Sequence, residues 1–126
     1  MWYNMAMKIL IDADGCPVVD LTLQAAAEYG LEAILFCDTS HEFKEKNARV
    51  VTVDKGSDSA DFALIRQVKP GDIVVTQDYG LAAMVLAKRG YPITQNGKRL
   101  TNANIDTLLL TRHAAKKARR GGYRLK

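Results

Sequence analysis

The run Lys8-Ile9-Leu10-Ile11 ends abruptly in Asp12-Ala13-Asp14-Gly15, and Cys16-Pro17-Val18 follows. A short apolar run closed by a turn signal reads as a buried strand. Pro17 suits the first turn of a helix, where its missing N–H would have no partner in any case. Val18, Leu21, Ala25 and Tyr29, with Ala26, recur at helical spacing, and Gly30 supplies the left-handed residue that ends a helix. Ala33-Ile34-Leu35-Phe36 is then a second strand. Strand, helix and strand make one βαβ unit, whose right-handed crossover sets the two strands parallel.

Working outward, the alternation continues. Residues 41–47 are polar and irregular, with room for a helical turn, and Val50-Val51-Thr52-Val53 is a third strand. Ser57 can cap a helix that carries Ala60, Phe62, Ala63, Leu64, Ile65 and Val68. After the turn Pro70-Gly71, Asp72 to Thr76 is a fourth strand. Asp78 caps a helix through Leu81, Ala82, Val85 and Leu86 to a stop at Gly90. Tyr91 to Thr94 is a fifth strand, placed at an edge by Pro92, which cannot donate to a ladder. Asn96-Gly97 is a tight turn, and Thr101 caps a last helix bearing Ile105, Leu108, Leu109 and Leu110. The expected fold class is α/β: a single domain with a mostly parallel open sheet of about five strands and helices on both faces, a three-layer arrangement.

Bulk composition agrees with one globular domain. The chain has 126 residues, 48% of them hydrophobic and 25% charged. No apolar run approaches the roughly 20 residues that span a bilayer, and Met1 to Lys8 holds no signal-peptide core. The expectation is a cytoplasmic protein without membrane contact, in which Cys16 and Cys37 stay reduced. The net charge of +4 hides a division. All 14 acidic residues precede position 112, against eleven Lys and Arg, whereas residues 112–126 hold seven basic residues and no acid. An acidic body with a basic tail points to a polyanionic partner such as RNA, or to a solvated tail. Residues 1–6 read as an extension, with Met7 an alternative start; 7–111 form the domain and 112–126 the basic tail.

In open α/β sheets the binding crevice lies outside the carboxyl ends of the strands. Asp12 and Asp14 fall there after strand one; Asp54, Lys55, Ser57, Asp58 and Asp61 after strand three; Thr76, Gln77 and Asp78 after strand four. Asp58 and Asp61, three apart, share one helix face. Carboxylates gathered in one crevice repel each other and persist if a cation neutralises them or their pKa values rise. Hard oxygen ligands suit Mg²⁺ or Mn²⁺, and such an ion activates water and stabilises charge on a phosphoryl oxygen. Duller roles exist for each: a strand end for Asp12, a turn for Asp14, first-turn dipole complementation for Asp58, an N-cap for Asp78. Cys16, at the start of the first helix, reads as a packed thiol rather than a nucleophile, and His41 and His113 have no partner at ligand spacing.

At these residues a resemblance emerges. Ile11-Asp12-Ala13-Asp14-Gly15-Cys16-Pro17-Val18 resembles the DADACPV opening of the YaiI/YqxD family of uncharacterised bacterial proteins. Gly56 to Asp61, Gly71 to Ala82, and Asn96-Gly97 with Thr101 to Ile105 resemble its later motifs. That family is similar in turn to PIN-like nuclease domains, which cut RNA with Mg²⁺ or Mn²⁺ held by aspartates. The resemblance implies Asp12, Asp61 and Asp78 as catalytic residues, with Asp14 and Asp58 as further metal ligands. In a nuclease of this kind Ser57 and Thr76 would hydrogen-bond ligands or phosphate, and the basic tail, with Lys116, Lys117, Arg119 and Arg120, would contact phosphates. PIN domains usually carry an acid near the first helix, where only Asp20 and Glu28 are available, and another after the strand-four aspartate, where Tyr79 and Gly80 stand. Asp14 is the substitute for one of these.

Three functions follow. One is a metal-dependent ribonuclease. Another is a haloacid-dehalogenase-like phosphatase, since Asp12-Ala13-Asp14-Gly15 also resembles that superfamily's D-x-D-G opening, with Asp12 as nucleophile, Asp14 as general acid and Thr39 or Ser40 after strand two. The third is a non-catalytic RNA-binding module that works through its tail.

Overall fold

The computed structural model describes residues 7–38, 48–54 and 59–120, the side chains of Ser59 and of 112–120 excepted. In chain order the elements are β1 (Lys8–Asp12), α1 (Val19–Glu28), β2 (Glu32–Cys37), β3 (Arg49–Thr52), α2 (Ser59–Gln67), β4 (Ile73–Val75), α3 (Tyr79–Ala87), β5 (Tyr91–Ile93) and α4 (Asn102–Arg120). The five strands form one sheet in the order β3-β2-β1-β4-β5. Every pairing between these strands is parallel, and an isolated antiparallel bridge joins Ile93 to Arg99. The α/β fold with helices on both faces is therefore as the alternation implied, and β5, with Pro92, is an edge strand. Residues 1–6, the helical turn expected within 41–47, the Ser57 cap and the last six residues lie outside the described part.

Parallel strands buried on both faces need continuous apolar runs. Leu10, Ile11, Ile34, Leu35, Phe36 and Val74 are accordingly sealed from solvent. Ile9, Ile11, Leu35 and Cys37 pack towards Val19 and Ala26 of α1. Leu10, Ile34, Phe36 and Val74 pack towards Ala63 and Leu64 of α2 and Leu81 and Val85 of α3. Each such side chain contributes roughly 1.5–3 kcal/mol on burial. Helix α3 is apolar nearly all round, as befits an element with two neighbours. Its Leu81 and Val85 face the sheet, while Ala82 meets Leu100, just before α4, and Ile105 of α4. Helix α4 continues through the basic stretch to Arg120.

Local chemistry explains most boundaries. Helix α1 begins two residues later than Pro17 suggested, because Cys16 N–H bonds back to Ala13 O at 3.1 Å and Pro17-Val18 lie in a turn. Its far end is a Schellman cap: Leu31 N–H reaches Ala26 O and Gly30 N–H reaches Ala27 O, with Gly30 at φ +68. The end of α3 repeats that pattern with one change. Gly90 N–H reaches Val85 O and Arg89 N–H reaches Leu86 O, so the left-handed position falls on Arg89, at φ 65, and not on Gly90. Gly90 serves packing instead, since a Cβ there would stand 2.7 Å from Val85 Cγ1 and 3.2 Å from the Asp72 carbonyl.

The amino ends of β1 and β4 are joined by a buried ion pair. Asp72, fully buried, accepts from Lys8 Nζ at 2.6 Å. It also accepts from the Lys8 N–H at 3.1 Å and the Lys69 N–H at 2.8 Å. Strand β4 thus starts one residue after Asp72, whose carboxylate is spent on structure. No helix among the described residues is long and apolar enough to cross a membrane.

Candidate functional site

The strand order reverses between β1 and β4, and the crevice outside their carboxyl ends is the topological switch point where open α/β sheets bind ligands. A cavity of about 90 Å³ sits there, lined by Asp12, Asp14, Cys16, Thr76, Gln77 and Gln95 among others. That is room for several water molecules. Asp12 is the last residue of β1. Thr76, buried, follows β4 and donates its hydroxyl to Asp12 Oδ2 at 3.0 Å. The same Thr76 oxygen accepts the Asp78 N–H at 3.0 Å. One hydroxyl therefore orients the aspartate of β1 and starts the turn that delivers the aspartate of α3.

Asp78 is the N-cap of α3, and its Oδ1 accepts from Gly80 N–H at 2.9 Å and Leu81 N–H at 3.1 Å. Its capping role is thus established, and Oδ2 is left for other partners. Asp14 Oδ2 accepts the Asp38 N–H at 2.6 Å, tying the turn after β1 to the end of β2. The three carboxylates are electrostatically linked. Burial holds the Asp12 carboxyl above the ordinary range, the Thr76 hydrogen bond works against this, and the charges of Asp78 and then Asp14 raise it further.

Not every expected residue joins them. Asp61 lies in the first turn of α2 and is half-buried; neither it nor Asp78 lines the cavity, and Asp78 is tied to the cavity through Thr76 and its charge on Asp12. Asp54, just past β3, is exposed. Asp58, Ser57, Lys55, Thr39, Ser40 and His41 lie outside the described residues, as do the side chains of Lys116, Lys117, Arg119, Arg120 and His113. Among the described residues no three His, Cys, Asp or Glu side chains are already drawn together around an ion position. Gln77, expected in the crevice after strand four, is there, and Gln95 joins it without having been foreseen. Gln77 Oε1 accepts the Gln95 N–H at 2.7 Å, linking the loops after β4 and β5 across the cavity mouth. Only the adjacency of β4 and β5 could have revealed this. Cys16 is not at a helix N-terminus, since α1 starts at Val19; it is a free thiol in the cavity wall.

An open, doubly wound α/β domain with carboxylates at its switch point is the class these observations define. By sequence the chain belongs to the family described as "Uncharacterized BCR, YaiI/YqxD family", which it matches over residues 10–126. A UPF0178 protein of Exiguobacterium sibiricum is 55% identical over 120 residues, which cover 95% of this chain and 82% of that one. A UPF0178 protein of Ruminiclostridium cellulolyticum is 52% identical over 118 residues, covering 94% and 77%. One from Lachnoclostridium phytofermentans is 49% identical over 116 residues, covering 92% and 78%. No solved structure matches the chain.

Proposed function

We propose that the protein is a PIN-like nuclease that acts on RNA with Mg²⁺ or Mn²⁺ at the crevice between β1 and β4. The observation that carries this reading is the unfavourable electrostatics of Asp12. A half-buried carboxyl, pressed towards protonation by burial and by Asp78 and Asp14, is costly unless a cation offsets the charge. The donor set is all oxygen, which fits Mg²⁺ or Mn²⁺. Mg²⁺ is usually held by one or two carboxylates, with waters and substrate phosphates completing its shell. Asp12, Asp61 and Asp78 would hold the ion, with Asp14 and Asp58 in support. A bound ion supplies positive charge for the phosphoryl oxygens and acidifies water.

The protein's own contribution is positioning. Thr76 holds Asp12 in one rotamer, and the α3 backbone fixes Asp78 through Gly80 and Leu81. Gln77 and Gln95 line the entrance with neutral hydrogen-bonding groups that do not repel a phosphodiester. The lysines and arginines of α4 supply sequence-independent phosphate contacts.

The test is Mn²⁺ titration by calorimetry at physiological salt, followed by an RNA-cleavage assay, on the wild type and on Asp12→Asn. Stoichiometric binding and cleavage, both lost in the variant while the fold persists, are the expected results. Cleavage retained by Asp12→Asn would sink the nuclease reading. Turnover of an aryl phosphate, lost in the same variant, would move the assignment to a phosphatase.

A further inference from the structure

We propose that the cavity lined by Arg89, Arg99 and Tyr91, at the opposite end of β5 from the aspartates, holds a phosphodiester group of single-stranded RNA. This rests on the reading of RNA as substrate, and it says where the strand is anchored. The cavity measures about 300 Å³ and is closed on its other sides by Leu100, Thr101 and Asn102. Among the described residues, no carboxylate lines it. The Arg99 guanidinium lies over the Tyr91 ring, 4.9 Å from its centroid. A planar guanidinium held in this way matches the paired oxygens of a phosphate. Tyr91 is 45% exposed, enough surface for a base to stack on.

Arg89 adds a second, independent sign. It occupies a left-handed position, φ 65, where glycine is the ordinary residue. Its guanidinium has no carboxylate partner among the described residues. An arginine kept at a left-handed backbone position in the wall of an open cavity is suited to an external anion. The geometry also answers a difficulty of the aspartate crevice, which repels a polyanion. From Tyr91 to Ile93 β5 advances about 7 Å, and Gln95 of the crevice lies two residues beyond it. Basic groups at one end of that edge offset the repulsion at the other.

The experiment is fluorescence anisotropy of a short labelled single-stranded RNA with the full chain. Chelator is present and divalent ion absent, so a failure of the metal reading leaves the result intact. Arg89→Gly removes the guanidinium while suiting the backbone, so it tests binding without threatening the fold. Arg99→Ala tests the second group. Each is expected to weaken binding by about fivefold to tenfold and to flatten the dependence of log affinity on log salt by about 0.7. Arg66→Ala, at the end of α2, is the control and is expected to bind as the wild type. Wild-type affinity in Arg89→Gly and Arg99→Ala, or an equal loss in Arg66→Ala, would overturn the proposal. So would displacement of the RNA by a free mononucleotide at equal affinity, which would make this a mononucleotide pocket.

Discussion

Asp12→Asn should make the fold more stable at neutral pH. The folded-state pKa of Asp12 lies above its ordinary value of 3.8, first through burial and then through Asp78 and Asp14. Between those two values the folded protein binds more protons than the unfolded chain, so stability falls as pH rises through the folded pKa. The penalty is fully present above that pKa and is relieved towards pH 3.8. Thermal melts of wild type and variant should differ most near pH 7 and converge in acid; a variant that melts lower at pH 7 would refute this account. Added Mn²⁺ should raise the melting temperature of the wild type alone, since only the wild type gains by binding. Asp72 is the opposite case. Its carboxylate serves Lys8 and two backbone N–H groups, and Asp72→Ala should cost about 3–5 kcal/mol, read as a lower urea midpoint. Both residues are aspartates beside apolar runs in the sequence. Asp12 announced itself by following its strand, at the end where sites form. Asp72 precedes its strand, and only the β1–β4 pairing shows that Lys8 stands next to it.

Helix ends show how local signals succeed and fail. Gly30 ends α1 as expected, and Asp78 caps α3 as expected. At the end of α3 the same glycine rule pointed one residue too far, because Arg89 took the left-handed position and Gly90 was needed for close approach to Val85 and Asp72. These two roles predict opposite signs. Arg89→Gly should stabilise by up to about 1 kcal/mol, the relief of an L-residue in that region less the entropy of a glycine in the unfolded chain. Gly90→Ala should destabilise by about 1–3 kcal/mol through overpacking. Denaturant curves on the two single variants decide it, and a loss in Arg89→Gly would show that its side chain packs. At this scale strands and helices were legible from periodicity, which reports one face at a time. The start of α1 was not, because a backbone bond from Cys16 to Ala13 competes with the helix.

Over the whole molecule, alternation of strands and helices was enough to imply a parallel sheet, but not its order. The order β3-β2-β1-β4-β5 is what brings Thr76 and Asp78 beside Asp12. Spacing along the chain holds no such information, since β1 and β4 are brought together by packing across 64 residues. The Gln77–Gln95 link and the arginine cavity depend on the same long-range placement. The order of the strands also has a consequence for the birth of the chain. β1 is the central strand, yet one of its two neighbours, β4, is made 64 residues after it. At about 5–20 residues per second of synthesis, β1 waits several seconds with one edge unfilled and the Lys8 ammonium without its counter-ion. An unpaired lysine on an open strand edge discourages pairing with a stranger. The charge later locked inside the core thus first acts as a guard on the nascent sheet.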